Sequence, residues 1–230
     1  MKGAIMQPYF FPYIGYYQLV YEVEKFVFLD DVTFIKQGFI NRNSILLGGK
    51  RHEFSIPVSK ISSYRLINDH QYLNDQSKFI KLIEQAYKKS PFFYDVMPFV
   101  EAVIKDKNNN VSQKNSKSIT AVFNYLGLQR DFSYSSCENY EQQLKGQDRV
   151  IALCSMLGID KYRNSIGGQS LYSQEIFSAA GIELKFIRSN IKTYSQGKNN
   201  FISHLSIIDV LMHCDKQEII NMLEAYELVD

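Results

Sequence analysis

The sequence predicts an α/β protein: a Rossmann-like, mainly parallel sheet with a helical insertion in the middle of the chain. Three observations predict it. Short apolar runs alternate with helical stripes at both ends, glycines stop the later helices, and helical periodicity fills the middle. The 230 residues suit a single domain, 1–230. In it, about 1–60 and 128–190 supply the two halves of the sheet, and 75–127 form an insertion or cap.

Ala4-Ile5-Met6 reads as a short buried strand. It breaks at Gln7-Pro8 and gives way to an apolar stripe over 14–23, then to a second strand, Lys25–Asp30. Strand, loop, helix and strand within thirty residues have the length of a βαβ unit. Ser44–Leu47, Gly48-Gly49 and His52–Pro57 read as a hairpin. Ser77–Lys89, Phe92–Ile104 and Asn115–Leu126 carry helical periodicity, with Pro91 and Gly127 as stops and 106–110 as an exposed loop. Strands at Arg130–Ser135, Lys161–Ser165 and Leu184–Ile187 then alternate with helices at Gln147–Leu157 and Leu171–Ala180, closed by Gly158 and Gly181. His204–His213 and Lys216–Leu228 read as closing helices.

Composition narrows the function classes. An apolar fraction of 45% and a charged fraction of 22% are ordinary for a globular chain. The 26 basic residues are scattered and the net charge is only +2, so no nucleic-acid groove is expected. Sixteen Tyr and sixteen Phe with no Trp make the chain Tyr-rich, a composition found at sugar and nucleotide sites and also at the margins of plain cores. Cys137, Cys154 and Cys214 form no CxxC pair, which speaks against a zinc site or a disulfide framework and for reduced thiols in a cytoplasmic protein. His52, His70, His204 and His213 form no HxH or HxxxH pair, so no metal is expected. No signal-peptide pattern opens the chain, and no run approaches the ~20 apolar residues of a membrane span.

The candidate chemistry lies at strand ends. Gln7 follows the first strand in a loop that two prolines hold in one shape, at the edge where open α/β sheets bind ligands. Asp30 and Asp31 end the second strand and offer a general base, a metal ligand or a hydrogen-bond partner for a sugar or amine; a solvated acidic turn is the plain alternative. Asn41 and Arg42, with Lys36 upstream, bring donors and a guanidinium fork suited to phosphate or carboxylate. Gly167 and Gly168 follow a strand and precede Tyr172, so their amides could hold an anion, though paired glycines also make ordinary turns. Tyr194, Gln196, Ser206 and Asp209 form a late polar group, with Ser206 and Asp209 on one helix face. Gln7, Asp31, Arg42 and the Tyr194–Gln196 segment are expected to converge in one cleft.

The run from Ile5 to Tyr16, the Phe26–Val32 block with Asp30-Asp31, Asn41-Arg42-Asn43, Gly167-Gly168 with Tyr172, Tyr194 with Gln196, and Leu205–Asp209 together closely resemble the WbqC-like family. The resemblance spans nearly the whole chain and implies a protein of bacterial O-antigen and other surface-polysaccharide gene clusters. The activity it implies is aminoacyl transfer, glycyl for example, to the amine of a nucleotide-linked amino sugar, with an activated amino acid or glycine donor. On that reading Gln7, Asp30 and Asp31 are catalytic. Tyr9, Phe10, Tyr13, Lys36, Asn41, Arg42, Gly167, Gly168, Tyr172, Tyr194, Gln196, Ser206 and Asp209 bind substrate. Met6 stands where other members carry His, so no histidine step transfers to it.

Tyr13-Ile14-Gly15-Tyr16 is also similar to the HxGH site of nucleotidylyl transferases and pantothenate synthetases, with Tyr at both His positions. That likeness keeps open an ATP-dependent amide ligase, with ATP as the one co-substrate suggested. A non-catalytic sugar-nucleotide binding protein is the third alternative.

Overall fold

The computed structural model describes residues 1–198 and 200–230. The chain runs β1 (Lys2–Met6), α1 (Ile14–Glu22), β2 (Lys25–Phe28), β3 (Arg42–Leu47), β4 (Lys50–Ser55), β5 (Val58–Ser59), β6 (Gln71–Tyr72), α2 (Ser77–Tyr87), α3 (Phe93–Ile104), α4 (Val111–Leu126) and β7 (Asp131–Tyr134). It continues through α5 (Gly146–Leu157), β8 (Lys161–Ser165), α6 (Gln174–Ala179), β9 (Glu183–Ser189), α7 (Ile207–His213), α8 (Lys216–Leu223) and β10 (Tyr226–Val229). Short 3₁₀ turns lie at Ile67–Asp69, Ser135–Cys137 and Ile166–Leu171.

The central sheet has the order β7-β2-β1-β8-β9-β10. Every pairing in it is parallel except that of β9 with β10. The sheet is buried on both faces because successive side chains point to opposite sides. Ala4, Phe26, Phe28 and Ile187 join the large core under α1, α3, α4, α7 and α8. Ile5, Val27, Leu184 and Phe186 join the smaller core with Val150, Leu153 and Cys154 of α5 and Phe177 of α6. The architecture is therefore three-layered, and α1 lies against β1, β8 and β9 with α8 beside it.

The mainly parallel Rossmann-like sheet is as the sequence predicts, with three differences in detail. The hairpin β3–β4 forms its own two-stranded sheet and does not extend the central one. Its Ser44 carbonyl accepts from the Ser206 amide, which ties it to the start of α7. The run Lys216–Leu228 is not one helix: α8 stops at Leu223, and β10 pairs antiparallel with β9, Leu228 opposite Ile187. Gly167 and Gly168 sit in a 3₁₀ turn that ends at Leu171, three residues before α6, and not at the N-terminus of an α-helix. The predicted stops at Gly127 and Gly158 hold, with φ of +75° and +69°, which glycine adopts without steric cost.

Among the described residues no helix is long and apolar enough to cross a membrane. The three cysteines are unpaired, and burial pushes the thiols of Cys154 and Cys214 up to about 12.

Candidate functional site

From β1 the chain steps outward to β2 and then β7. It returns on the other side of β1 with β8 and β9. Strand order therefore reverses between β1 and β8, and in open α/β sheets ligands bind at the carboxyl ends flanking such a point. A cleft of about 440 Å³ lies there. Met6 and Gln7 leave β1 into it, Asn164 and Ser165 end β8 beside it, and Gly167, Gly168, Leu171 and Tyr172 follow. Tyr9, Tyr13 and Tyr16 line it from the Gln-Pro loop and α1, and Ile35 and Phe39 from the loop between β2 and β3.

No charged side chain lines the cleft among the described residues. Burial raises the phenol pKa of Tyr9, Tyr13 and Tyr16, so all three rings stay neutral. Three apolar side chains stand out at the rim, Ile35 at 51%, Phe39 at 68% and Leu171 at 68% exposure. Cations enter only on or beside the loop that makes one wall. Lys36 follows Ile35 and is exposed, and Arg42 Nη1 donates to the Gln37 carbonyl at 3.4 Å.

The Gln-Pro loop is held by polar groups from distant elements. Asn115 on α4 donates to the Pro8 carbonyl at 3.0 Å and to the Ile40 carbonyl at 2.7 Å, joining two walls of the cleft. Tyr16 Oη donates to the Gln7 carbonyl at 2.9 Å. Phe11 has φ of +41°, a conformation that non-glycine residues rarely adopt. Its amide donates to Ser118 Oγ at 2.9 Å, and its carbonyl accepts from Asn43 Nδ2 and Ser206 Oγ, each at 2.7 Å. Gln37, in the loop between β2 and β3, also has positive φ, +63°. Strain of this kind persists where surrounding contacts over-determine it.

Gln7, Tyr9, Tyr13, Gly167, Gly168 and Tyr172 therefore meet in one cleft, with Lys36 on the loop that forms one wall and Arg42 at the start of β3 beside that loop. Of the residues expected to converge on Gln7, Asp31 and Tyr194–Gln196 do not line this cleft and spend their polar atoms elsewhere, while Arg42 lies beside the loop wall and also pairs with Glu53 at 3.5 Å. Asp30 accepts from Ser112 Oγ at 2.9 Å and from the Ser136 amide and Oγ, each at 3.1 Å. Asp31 accepts from Ser135 Oγ and Tyr140 Oη, each at 2.5 Å, and Arg149 Nη1 stands 3.8 Å away. Both aspartates lie at the sheet edge, but neither lines the cleft.

Asp209 is fully buried. It accepts from Tyr87 Oη at 2.8 Å, Tyr194 Oη at 2.6 Å and Gln196 Nε2 at 2.8 Å, pinning Tyr194 and Gln196 to α7. Asn41 donates to the Ile56 carbonyl at 2.9 Å. Phe10 is wholly buried among Phe11, Tyr72 and Phe79 and is a core residue.

Sequence reasoning missed Ile35, Phe39, Leu171, Asn164, Ser165 and Tyr16 as lining residues. The available signal was a loop between β2 and β3 with more bulky apolar residues, Val32, Phe34, Ile35, Phe39 and Ile40, than a solvated connection needs. It also missed Asn115 and Ser118, which lie on the buried face of α4 beside Val111, Ile119 and Val122.

The geometry defines a Rossmann-like α/β protein with an aromatic, uncharged cleft at its topological switch point. The chain belongs to the WbqC-like protein family, whose model matches residues 7–221. It is also similar to a protein of Mycobacterium tuberculosis (strain ATCC 25618 / H37Rv) described as "Uncharacterized protein Rv1507c". The two are 23% identical over 218 residues, covering 92% of this chain and 93% of the other. No solved structure matches the chain.

Proposed function

We propose that this protein transfers an aminoacyl group, glycyl in the simplest case, to the amine of a nucleotide-linked amino sugar bound at the switch-point cleft. The resemblance to O-antigen and surface-polysaccharide proteins supplies the pathway. The single observation that supports the site is the cleft itself, with its neutral aromatic walls at the edge where α/β sheets take nucleotides. Lys36 on the loop wall and Arg42 beside it are the groups to meet the phosphates of the sugar carrier.

In such a transfer the neutral amine attacks the acyl carbonyl. The carbon–nitrogen bond forms, the bond to the donor's leaving group breaks, and the amine proton leaves with that group or to water. The carboxylates of Asp30 and Asp31 already accept protein donors, so their role on this reading is to hold the edge of the site in place. The protein then acts chiefly by positioning, which supplies up to about 7–11 kcal/mol of a bimolecular barrier.

One observation favours a second reading. No acid or base other than the neutral tyrosines lines the cleft among the described residues, as suits a sugar-nucleotide binding protein without catalysis. Incubating the protein with a panel of nucleotide-linked amino sugars and either glycyl donors or glycine plus ATP decides between them. A mass gain of one aminoacyl group on the sugar supports the transferase. Release of AMP and pyrophosphate with that gain identifies the ATP-dependent ligase. Saturable binding without mass gain supports the binding protein.

A further inference from the structure

Gln7 is the unusual residue of the cleft. Its side-chain oxygen is buried and accepts no hydrogen bond, and its amide nitrogen donates to no described residue. The backbone beneath it is fixed: the Gln7 carbonyl is held by Tyr16 Oη at 2.9 Å and the Pro8 carbonyl by Asn115 at 3.0 Å. A buried acceptor left unpaired costs stability, and Gln7 lines the cleft on a backbone held in place, so a ligand filling the cleft is placed to supply the missing donor. The phenols of Tyr9 and Tyr13 also lack protein partners, and the two rings line the same cleft.

The shape of the carboxamide narrows the ligand. Oε1 accepts and Nε2 donates on the same edge of one planar group. A trans secondary amide, such as an N-acyl group on a sugar, presents its N–H and C=O on opposite sides and meets only one of them. Each nucleobase carries a donor beside an acceptor on one planar edge and meets both, the pairing by which Gln and Asn read adenine. The walls agree. They are aromatic and uncharged, so they suit a neutral flat ring better than a diphosphate.

We propose that Gln7 reads the edge of a nucleobase, which enters the cleft between the tyrosines while the phosphates of the same ligand stay outside, near Lys36 on the loop and Arg42 at the start of β3. This rests on the reading of the cleft as a nucleotide-sugar site, and it assigns the nucleotide end, not the reacting amine, to Gln7.

The test is calorimetric titration of the whole chain with uridine, thymidine, cytidine, adenosine and guanosine, with N-acetylglucosamine and ribose 5-phosphate as comparison arms. At least one nucleoside is expected to bind without any phosphate. Gln7→Leu and Gln7→Glu should weaken that nucleoside roughly ten- to hundredfold, the cost of losing a bidentate pair. The thermal midpoint of Gln7→Leu should be unchanged or higher, since the side chain bonds nothing in the protein and its buried acceptor is unpaired. Tyr9→Phe should keep the ring and weaken binding less. Wild-type nucleoside affinity in Gln7→Leu overturns the proposal. So does binding of N-acetylglucosamine or ribose 5-phosphate with no nucleoside, or binding of none of the probes. Gln7-dependent nucleoside binding in a protein that transfers no acyl group would leave this inference standing and remove only the transferase reading.

Discussion

Asn43 Nδ2 and Ser206 Oγ donate to the same oxygen, the carbonyl of Phe11, each at 2.7 Å. One comes from β3 and the other caps α7, accepting from the Ile208 amide at 3.3 Å. Between them they hold a residue with φ of +41° in the loop that shapes the cleft.

Removing both donors should therefore cost more than the sum of removing each. Asn43→Ala should lose about 0.5–1.5 kcal/mol, and Ser206→Ala somewhat more because the cap goes with it. In the double variant the carbonyl loses both side-chain donors, and a coupling of at least ~0.5 kcal/mol is expected. Urea unfolding of the four proteins measures it. Strict additivity would show that the carbonyl finds another partner.

Asp31 serves as a test of scaffold against base. Its carboxylate is buried and faces Ser135, Tyr140 and Arg149. Asp31→Asn puts an amide donor against those donors, and breaking a buried charge pair costs roughly 3–5 kcal/mol. At about 2–4 °C per kcal/mol for a chain of this size, the thermal midpoint should fall by roughly 6–20 °C. Ligand affinity of the folded protein should hold. A variant with an unchanged midpoint and no activity would instead identify Asp31 as the base.

Alkaline pH should unfold the protein steeply. Burial raises the pKa values of Tyr16, Tyr17, Tyr87 and Tyr162 well above the ordinary phenol value of about 10. Above that pH the unfolded chain releases protons that the folded chain keeps. Stability is thus full below about pH 10 and declines as pH rises toward the folded values. Tyrosinate absorbance should appear together with loss of helical signal. Tyr17 gives a sharper check. Its ring packs on Phe123 at 6.0 Å, while its buried hydroxyl has no partner. Tyr17→Phe should leave the protein as stable or stabilise it by about 1 kcal/mol, and should soften the alkaline loss. A destabilised Tyr17→Phe would reveal a partner for that hydroxyl.

The alternation of apolar runs with glycine-stopped helices made the parallel sheet legible, because β1 and β2 are buried on both faces and read as continuous apolar strands. Gln7 was legible for the same reason: a polar residue at a proline break marks a strand's carboxyl end. The polar motifs were harder to interpret. Asn41, Ser206 and Asp209 look like ligand groups in sequence, yet each satisfies backbone or side-chain groups of the protein. A buried polar residue that completes a scaffold and one that binds substrate have the same composition, and only three-dimensional partners distinguish them. Asn115 and Ser118 failed in the opposite sense. They sit within the apolar face of α4 beside Val111, Ile119 and Val122, where a polar residue reads as a mere interruption, and they are buried because the irregular Gln-Pro loop needs donors and acceptors there.

Gly15 links the motif to the cleft. A Cβ built there would lie 2.5 Å from Cε2 of the Tyr13 ring, which lines the cleft. The backbone of α1 itself favours alanine over glycine by about 1 kcal/mol in a helix interior. In Gly15→Ala these effects oppose each other: the helix gains and the Tyr13 ring must swing away. The thermal midpoint should change little, while affinity for any cleft ligand falls. In a Tyr13→Ala background the ring is gone, so Gly15→Ala should be plainly stabilising and should no longer affect binding. Midpoints and ligand titrations on the four proteins resolve the two effects. If Gly15→Ala weakens binding equally with and without the Tyr13 ring, that ring is not what the glycine accommodates.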